Sequence, residues 1–228
     1  MQLIFIHGSG GSKESFHYQT QYFANAIALD LPGHPDGALC TSIDDYATWL
    51  RGYIKERDLK DVVLAGHSLG GGIALLYGLL YPEDLKGIIS IGSGARLRVH
   101  PKYLEMLKKA VDNPSIMDEA PDQTYDLIKP ELAEVLKRRA RENGPAAALN
   151  DMLACDKFDI MDKISQIKVP VLALCGDKDI MTPPKYSYYL AQHMPNAKAT
   201  IIPGGTHMVF AEKPEEVNQA IEFFLKEL

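Results

Sequence analysis

A serine set between two glycines constrains this chain more than any other feature. The segment Gly-His-Ser-Leu-Gly at residues 66–70 follows an apolar run at 62–65 and precedes a second apolar run, rich in small residues, at 71–77. A short buried strand that turns directly into a helix accounts for both runs. At such a turn, glycines let strand and helix approach closely, and the serine adopts a strained backbone that exposes its hydroxyl. Ser68 is therefore the candidate nucleophile.

The candidate base is a histidine, because its ordinary pKa lets it take and return a proton near neutral pH. Of the seven histidines, His207 lies in Gly-Gly-Thr-His-Met at residues 204–208, directly after the last predicted strand. That position puts it at the same edge of the sheet as Ser68. His193 is the nearest rival, but it ends a helical run, where a histidine more often complements the helix dipole or faces solvent. His207 is the predicted base.

The acid that orients the histidine is expected in the loop at 176–183, since the chain order for this arrangement is serine, acid, histidine. Asp179 is preferred because its spacing from Gly176, and the stretch behind it, match the usual loop in which the later aspartate turns toward the histidine. Asp177 is assigned to the turn itself. The Gly-Ser-Gly segment at 92–94 carries no carboxylate, which removes the other common position for the acid.

Two backbone amides are candidates for binding a developing oxyanion. One is the Leu69 N–H, directly after the nucleophile. The second is expected from the loop His-Gly-Ser-Gly-Gly at residues 7–11, where Ser9 is the preferred donor and Gly10 the fallback. His7 is expected to be structural and hydrogen-bonded within this loop. Dinucleotide binding is disfavoured because the glycines do not follow the Gly-x-Gly-x-x-Gly spacing and no helix begins there.

Length and charge limit the function classes. A chain of 228 residues suits one globular domain with room for an insertion. The formal net charge of −6 provides no basic footprint for nucleic acid. No apolar run approaches the roughly 20 residues that cross a bilayer. The first six residues are too short, and lack the basic start, for a signal peptide, so a cytoplasmic location is expected.

The cysteines Cys40, Cys155 and Cys175 are odd in number and widely spaced. This spacing argues against a disulfide framework and against a zinc site, so reduced thiols are expected. Cys175 closes an apolar strand and is expected to be a small core residue.

Apolar runs bounded by turn residues alternate with helical stretches, which predicts an α/β fold with a mostly parallel sheet of about six strands flanked by helices. The predicted strands are residues 3–6, 26–29, 62–65, 87–91, 169–174 and 199–202. A helix is predicted at 44–57, with its cap among residues 41–45 and Trp49 in the core. The strand rhythm stops between Gly92 and about Gln166. Residues 94–165 are therefore predicted to be an inserted helical cap, and residues 1–93 and 166–228 to form the core.

These segments together resemble the alpha/beta hydrolases, specifically the compact bacterial esterase-like and lipase-like serine hydrolases with a helical cap. The likeness covers nearly the whole chain and includes Asp-Leu-Pro-Gly-His at residues 30–34, after the second predicted strand. Typical members have a hairpin of two strands ahead of the His-Gly strand, whereas this chain begins almost directly with Leu3. The sheet is therefore expected to be shorter at one edge, which exposes an edge strand.

The resemblance implies a carboxylesterase that uses Ser68, His207 and Asp179 as a catalytic triad and forms an acyl-enzyme. Small to medium, largely apolar esters are the expected substrates, and no metal or organic cofactor is expected. Family members that use an aspartate nucleophile are disfavoured by Ser68. Hydroxynitrile lyases are disfavoured because they carry lysine after the catalytic histidine, where this chain has Met208.

Two other functions stay open. One is a carbon-carbon bond hydrolase of the same fold, with Arg96 or Arg98 as an anchor for an acidic substrate. The other is a small-molecule receptor with slow turnover. The expected partner is a small-molecule ester, without nucleic acid or membrane insertion, and a homodimer stays open. The sequence leaves the acyl and alcohol preferences undetermined.

Overall fold

The computed structural model describes residues 1–119 and 124–228, with the side chains of 118 and 119 left out. The strands of this part are β1 (Gln2–Ile6), β2 (Ala26–Leu29), β3 (Val62–His67), β4 (Leu85–Ile91), β5 (Val171–Gly176) and β6 (Ala197–Ile202). They form one all-parallel sheet in the order β2-β1-β3-β4-β5-β6. The predicted fold class is confirmed, and β2 and β6 are the edges of the described sheet.

Helices lie on both faces of the sheet. They are α1 (His17–Tyr22), α2 (Ile43–Glu56), α3 (Leu69–Leu80), α4 (Pro101–Asp112), α5 (Ile116–Glu119), α6 (Pro130–Lys157), α7 (Lys185–His193), α8 (Val209–Glu212) and α9 (Pro214–Leu225). In residues 1–119 and 124–228, no helix has both the length and the apolar character to span a bilayer.

The core consists of two apolar layers, one on each face. Ile4 and Ile6 of β1 point into the layer shared with α2 and α3, while Leu3 and Phe5 point into the layer shared with α8 and α9. This alternation follows from the two-residue period of a strand. Parallel sheets are covered on both faces, which explains why β3 and β5 are buried at every residue and read as continuous apolar runs.

The structure corrects several predicted boundaries and one core assignment. Strand β5 begins at Val171, two residues later than predicted, because Pro170 has no N–H to donate to a neighbouring strand. Helix α2 begins one residue early, and Ser42 is its cap: the Ser42 hydroxyl accepts the Asp45 N–H at 3.0 Å. Trp49, predicted in the core, is only half buried, because it lies at the margin of the apolar face of α2 and packs against the core edge.

The segment between β4 and β5 is helical and carries α4, α5 and α6; residues 120–123 of the predicted cap lie outside the described part. Helix α6 bends where Gly144 leaves helical geometry, at φ 76° and ψ 167°. Before the bend, Leu132 and Leu136 join the apolar layer of Phe5; after it, Ala154 and Cys155 join the opposite layer. Helix α6 therefore passes from one face of the sheet to the other.

Candidate active site

The sharp turn predicted at Ser68 is present between β3 and α3. Ser68 lies at φ 52° and ψ −114°, a backbone region that is strained for a residue with a side chain. Neighbours hold this conformation: the Ser68 N–H donates to the Ile91 carbonyl at 2.9 Å, and the Ser93 hydroxyl donates to the Ser68 carbonyl at 2.7 Å. A side chain at Gly66 would overlap the Gly70 carbonyl. The turn leaves Ser68 partly accessible.

His207 and Asp179 are brought together as the predicted pair requires. The His207 Nδ1 lies 2.8 Å from the Asp179 Oδ2, and the Asp179 side chain is fully buried. The other carboxylate oxygen, Oδ1, accepts the backbone N–H groups of Met181 and Thr182, each at 2.9 Å. The Thr182 hydroxyl donates to Oδ2 at 2.8 Å. Because Nδ1 donates to Asp179, the Nε2 of the neutral imidazole is left as the acceptor.

The surroundings of Asp179 keep it ionised. Burial alone acts to raise the pKa of Asp179, but the hydrogen bond and charge of His207 and the donors of Thr182 outweigh it and hold that pKa at about 2. The carboxylate is therefore charged at neutral pH and can stabilise an imidazolium at His207.

The two rivals weighed in the sequence lie elsewhere. Asp177 accepts the Gly204 N–H at 2.7 Å and so serves the turn. His193 is exposed at the end of α7, where its Nδ1 lies 2.9 Å from the Tyr189 carbonyl. Neither side chain contacts His207 in the described structure.

His67 connects the loop that carries His207 to the turn at Ser68. Its Nε2 donates to the His207 carbonyl at 3.0 Å, and the two rings lie 4.6 Å apart. Burial, followed by the nearby charge of His207, lowers the pKa of His67 well below its ordinary value, so this ring is neutral. His207 also packs against Gly92, which directly follows the acceptor of the Ser68 N–H. The loop is thus anchored next to the turn.

The Ser68 hydroxyl itself forms no hydrogen bond to His207, nor to any other side chain in residues 1–119 and 124–228. In activated serine sites the link between nucleophile and base is often loose until substrate binds. The structure therefore places the three side chains in one neighbourhood and joins two of them directly. The catalytic roles of Ser68, Asp179 and His207 stay predictions.

The two predicted oxyanion donors are both available. The Leu69 N–H begins α3, and neither it nor the Ser9 N–H donates a hydrogen bond within the described chain. The fallback donor, Gly10, is occupied, since its N–H donates to the Asp151 Oδ2 at 3.0 Å. The structure therefore favours Ser9 over Gly10 in this loop.

His7 is structural, as predicted. Its Nδ1 donates to the Gly8 carbonyl at 2.7 Å, and its Nε2 accepts the Leu31 N–H at 3.0 Å. Burial, followed by the charge of His34, lowers the pKa of His7 to about 4, so the ring is neutral near pH 7. His7 thereby connects the loop after β1 to the loop after β2.

Sequence reasoning missed three residues of this neighbourhood: Ser93, Thr182 and Asp151. Thr182 carries a usable signal, because a hydroxyl three residues after an aspartate commonly joins a local side-chain and backbone network. Asp151 carries none, since it is one of many charged residues in a long helical segment.

Comparison with known proteins agrees with this geometry. A model described as "Alpha/beta hydrolase family" matches residues 3–220. The solved structure of a thermophilic esterase is 33% identical, with a TM-score of 0.83, and the match covers 99% of this chain and 90% of that one. A 2-hydroxy-6-oxononadienedioate/2-hydroxy-6-oxononatrienedioate hydrolase from Burkholderia vietnamiensis is 28% identical over 98% of this chain and 86% of its own length.

A third relative is longer than this chain. The dihydrolipoyllysine-residue acetyltransferase component of an acetoin cleaving system from Pseudomonas putida is 26% identical over 98% of this chain. This chain spans 63% of that relative's length. The shared region is therefore the hydrolase fold, and nothing about the remainder of that protein transfers to this chain.

Proposed function

Because this chain belongs to the alpha/beta hydrolase family, we propose that it is a serine carboxylesterase that hydrolyses small to medium, largely apolar esters. The observation that carries the proposal is the strained Ser68 turn beside a His207 that is oriented by a buried, ionised Asp179. The 33% identity to a thermophilic esterase supports the same reaction class.

In the first half of the reaction, the Nε2 of His207 takes the Ser68 proton as the Ser68 Oγ bonds to the ester carbonyl carbon. The carbonyl π electrons move to its oxygen, and the Leu69 and Ser9 N–H groups bind the resulting oxyanion. When the tetrahedral intermediate collapses, the bond to the alkoxy group breaks, and the alcohol leaves with the proton from His207. The acyl group is then bonded to Ser68.

In the second half, water replaces the alcohol. His207 takes a proton from the water, whose oxygen bonds to the acyl carbon, and the same two amides bind the second oxyanion. Collapse of this intermediate breaks the bond to the Ser68 Oγ, which recovers its proton from His207. The carboxylic acid is released and the free enzyme is restored. Asp179 keeps the His207 Nδ1 protonated throughout, so Nε2 alone exchanges protons.

The helical segment at 94–165 is proposed to be the cap. In support, Ala148, Asp151 and Asn143 of α6 all contact the loop that carries Ser9. A cytoplasmic location is proposed as well, and the free thiols of Cys40, Cys155 and Cys175 support it.

The esterase proposal is tested with p-nitrophenyl esters from acetate to laurate near neutral pH. Wild type and Ser68→Ala are compared, with Ser165→Ala as the matched control, because Ser165 is exposed and precedes β5, whereas Asp179 follows the carboxyl end of that strand. We expect repeated turnover that Ser68→Ala abolishes and Ser165→Ala retains. The chain-length optimum then reports the depth of the acyl site. A folded wild type without turnover on any of these esters would contradict the proposal.

A carbon-carbon bond hydrolase is the second candidate, because one relative is named for hydrolysing a dioate. The two arginines suggested as anchors for an acidic substrate are already engaged. Arg96 lies 3.6 Å from the Asp159 carboxylate, and the Arg98 guanidinium donates to the Asp156 carbonyl at 3.3 Å. Esters without a second carboxylate are therefore the better first substrates. Faster turnover of a vinylogous 1,5-diketone acid than of p-nitrophenyl acetate would favour this candidate.

A further inference from the structure

Helix α6, at its bend and in the turns that follow, holds the loop at residues 7–11 by contacts on both its donors and its acceptors. The Gly10 N–H donates to the Asp151 Oδ2 at 3.0 Å, and the Asn143 Nδ2 donates to the Gly10 carbonyl at 3.0 Å and to the Gly11 carbonyl at 2.6 Å. The Ser9 hydroxyl donates to the Ala148 carbonyl at 3.3 Å. The position of this loop therefore depends on a helix that lies more than 130 residues later in the chain.

Asp151 is the most constrained of the residues that contact this loop. It is fully buried, and a buried carboxylate is costly unless its oxygens are hydrogen-bonded. Besides the Gly10 N–H, the Oδ2 accepts the His34 Nε2–H at 2.9 Å, and the Oδ1 accepts the Tyr46 hydroxyl at 2.7 Å. These partners come from three separate segments of the chain: the loop after β1, the loop after β2, and α2. The carboxylate is thereby fixed from several directions.

His34, on the loop after β2, forms an ion pair with Asp151 as well as a hydrogen bond. Burial acts to lower the pKa of His34, but the hydrogen bond and charge of Asp151 outweigh it and raise that pKa above its ordinary value. The pair lies beside the neutral His7, whose ring centre is 4.9 Å from that of His34. Because Gly10, His34 and Tyr46 are all bonded to one buried carboxylate, this network has little freedom to shift.

We propose that Asp151 is a positioning residue for the oxyanion hole, and this inference rests on the esterase function proposed above. By accepting the Gly10 N–H, Asp151 removes that amide from competition for the oxyanion and fixes the peptide that follows Ser9. The Ser9 N–H is left without a partner in the described chain, ready for the developing charge. The helical insertion thus contributes to catalysis through the loop, without contacting the reacting atoms.

The test compares three variants on p-nitrophenyl acetate. Asp151→Ala removes the bond to the Gly10 N–H and is expected to lower kcat about 100-fold with little change in KM, since an oxyanion donor acts in the transition state. Asp151→Asn keeps an oxygen that accepts the Gly10 N–H, and its NH₂ group can donate to the Tyr46 hydroxyl oxygen. Its kcat is expected to lie within about tenfold of that of wild type. If Asp151→Ala does not fold, Asn143→Ala replaces it in the test, because Asn143 is partly exposed and bonds the same loop. A smaller loss of kcat is expected for this variant.

Tyr46→Phe separates positioning from stability. It removes a hydrogen bond from the same carboxylate but none from the loop, so it is expected to lower the denaturation midpoint while kcat changes less than about threefold. A folded Asp151→Ala whose kcat stays within threefold of wild type would overturn the proposal. So would equal losses of kcat in Asp151→Ala and Tyr46→Phe.

Backbone hydrogen exchange distinguishes a failed proposal from a failed function. Peptides that cover residues 7–11 are expected to exchange faster in Asp151→Ala than in Tyr46→Phe or wild type. If wild type hydrolyses no ester but this difference is found, the esterase function fails and the link between Asp151 and the loop stands. If exchange in the loop is unchanged, the positioning role is wrong whether or not the protein is an esterase.

Discussion

Replacing Asp179 with asparagine should disable the base without disturbing the fold. In the structure, Oδ1 of Asp179 accepts two backbone N–H groups, those of Met181 and Thr182. An asparagine must therefore place its amide oxygen at that position, because an NH₂ group there would face two donors. Its NH₂ then takes the place of Oδ2, 2.8 Å from the His207 Nδ1. The NH₂ donates to Nδ1, and the imidazole proton is forced onto Nε2.

A His207 with its proton on Nε2 cannot accept the proton of Ser68. The same substitution in a serine triad of known mechanism lowers kcat about 10⁴-fold, which corresponds to about 5 kcal/mol of transition-state stabilisation. We expect a loss of this size in kcat for Asp179→Asn, with KM changed only a few-fold. Thermal unfolding should show that the variant is folded, since the amide oxygen keeps both backbone donors satisfied.

The assay is initial-rate hydrolysis of p-nitrophenyl acetate near pH 7.5, with each variant purified to the same folded fraction. Asp177→Asn is the matched control, because the Asp177 side chain accepts the Gly204 N–H, a bond that an asparagine oxygen keeps, and its other contact is an exposed ion pair with Lys178 at 4.0 Å. Its activity should equal that of wild type. If Asp179→Asn keeps more than a tenth of wild-type kcat, or if both variants lose activity alike, the reasoning about the tautomer is refuted.

Three further predictions concern the same framework. Thr182→Val removes the hydroxyl donor to the Asp179 Oδ2 and should lower kcat about tenfold, measured with KM on the same ester; an unchanged kcat would show that the hydroxyl is dispensable. His7 has a pKa lowered to about 4, so between about pH 6.5 and 4 the unfolded chain binds a proton that the folded chain does not, and stability falls as pH falls. Between pH 7 and 5, the free energy of unfolding measured by urea titration should fall by about 2 kcal/mol less in His7→Gln than in wild type. An equal fall in the two proteins would refute this. Gly70→Ala would drive a methyl group into a β1 carbonyl and should destabilise by at least about 2 kcal/mol in urea, whereas Gly52→Ala, with open space in α2, should stabilise by about 0.5 kcal/mol; equal effects would contradict the packing.

The strands and the serine turn could be predicted because local sequence specifies them. Continuous apolar runs mark buried parallel strands, and the close approach of α3 to β3 and to β1 requires the glycines at 66 and 70. His207 and Asp179 could be selected because each follows a strand at the carboxyl edge of the sheet. Chain order places the acid between Ser68 and His207, and the spacing from Gly176 with the stretch behind Asp179 ranks Asp179 above Asp177.

Contacts that join distant segments could not be predicted in this way. Asp151 meets Gly10 across 141 positions and Tyr46 across 105, and no local pattern distinguishes it from the other acids of the helical segment. Trp49 was misplaced for a related reason, because helical periodicity identifies an apolar face but not how deeply its margin is covered. Such features depend on tertiary packing, which only the structure shows.

The central claim is that Ser68 is a nucleophile activated by His207, and covalent labelling tests it most directly. The protein is incubated with a fluorophosphonate, and the product is examined by intact mass and by peptide mapping, beside Ser68→Ala. The account predicts one phosphonyl group per chain, bonded to Ser68, with esterase activity lost in proportion to labelling and no adduct in Ser68→Ala. An adduct on another residue, or a fully labelled Ser68 with activity retained, would contradict the account.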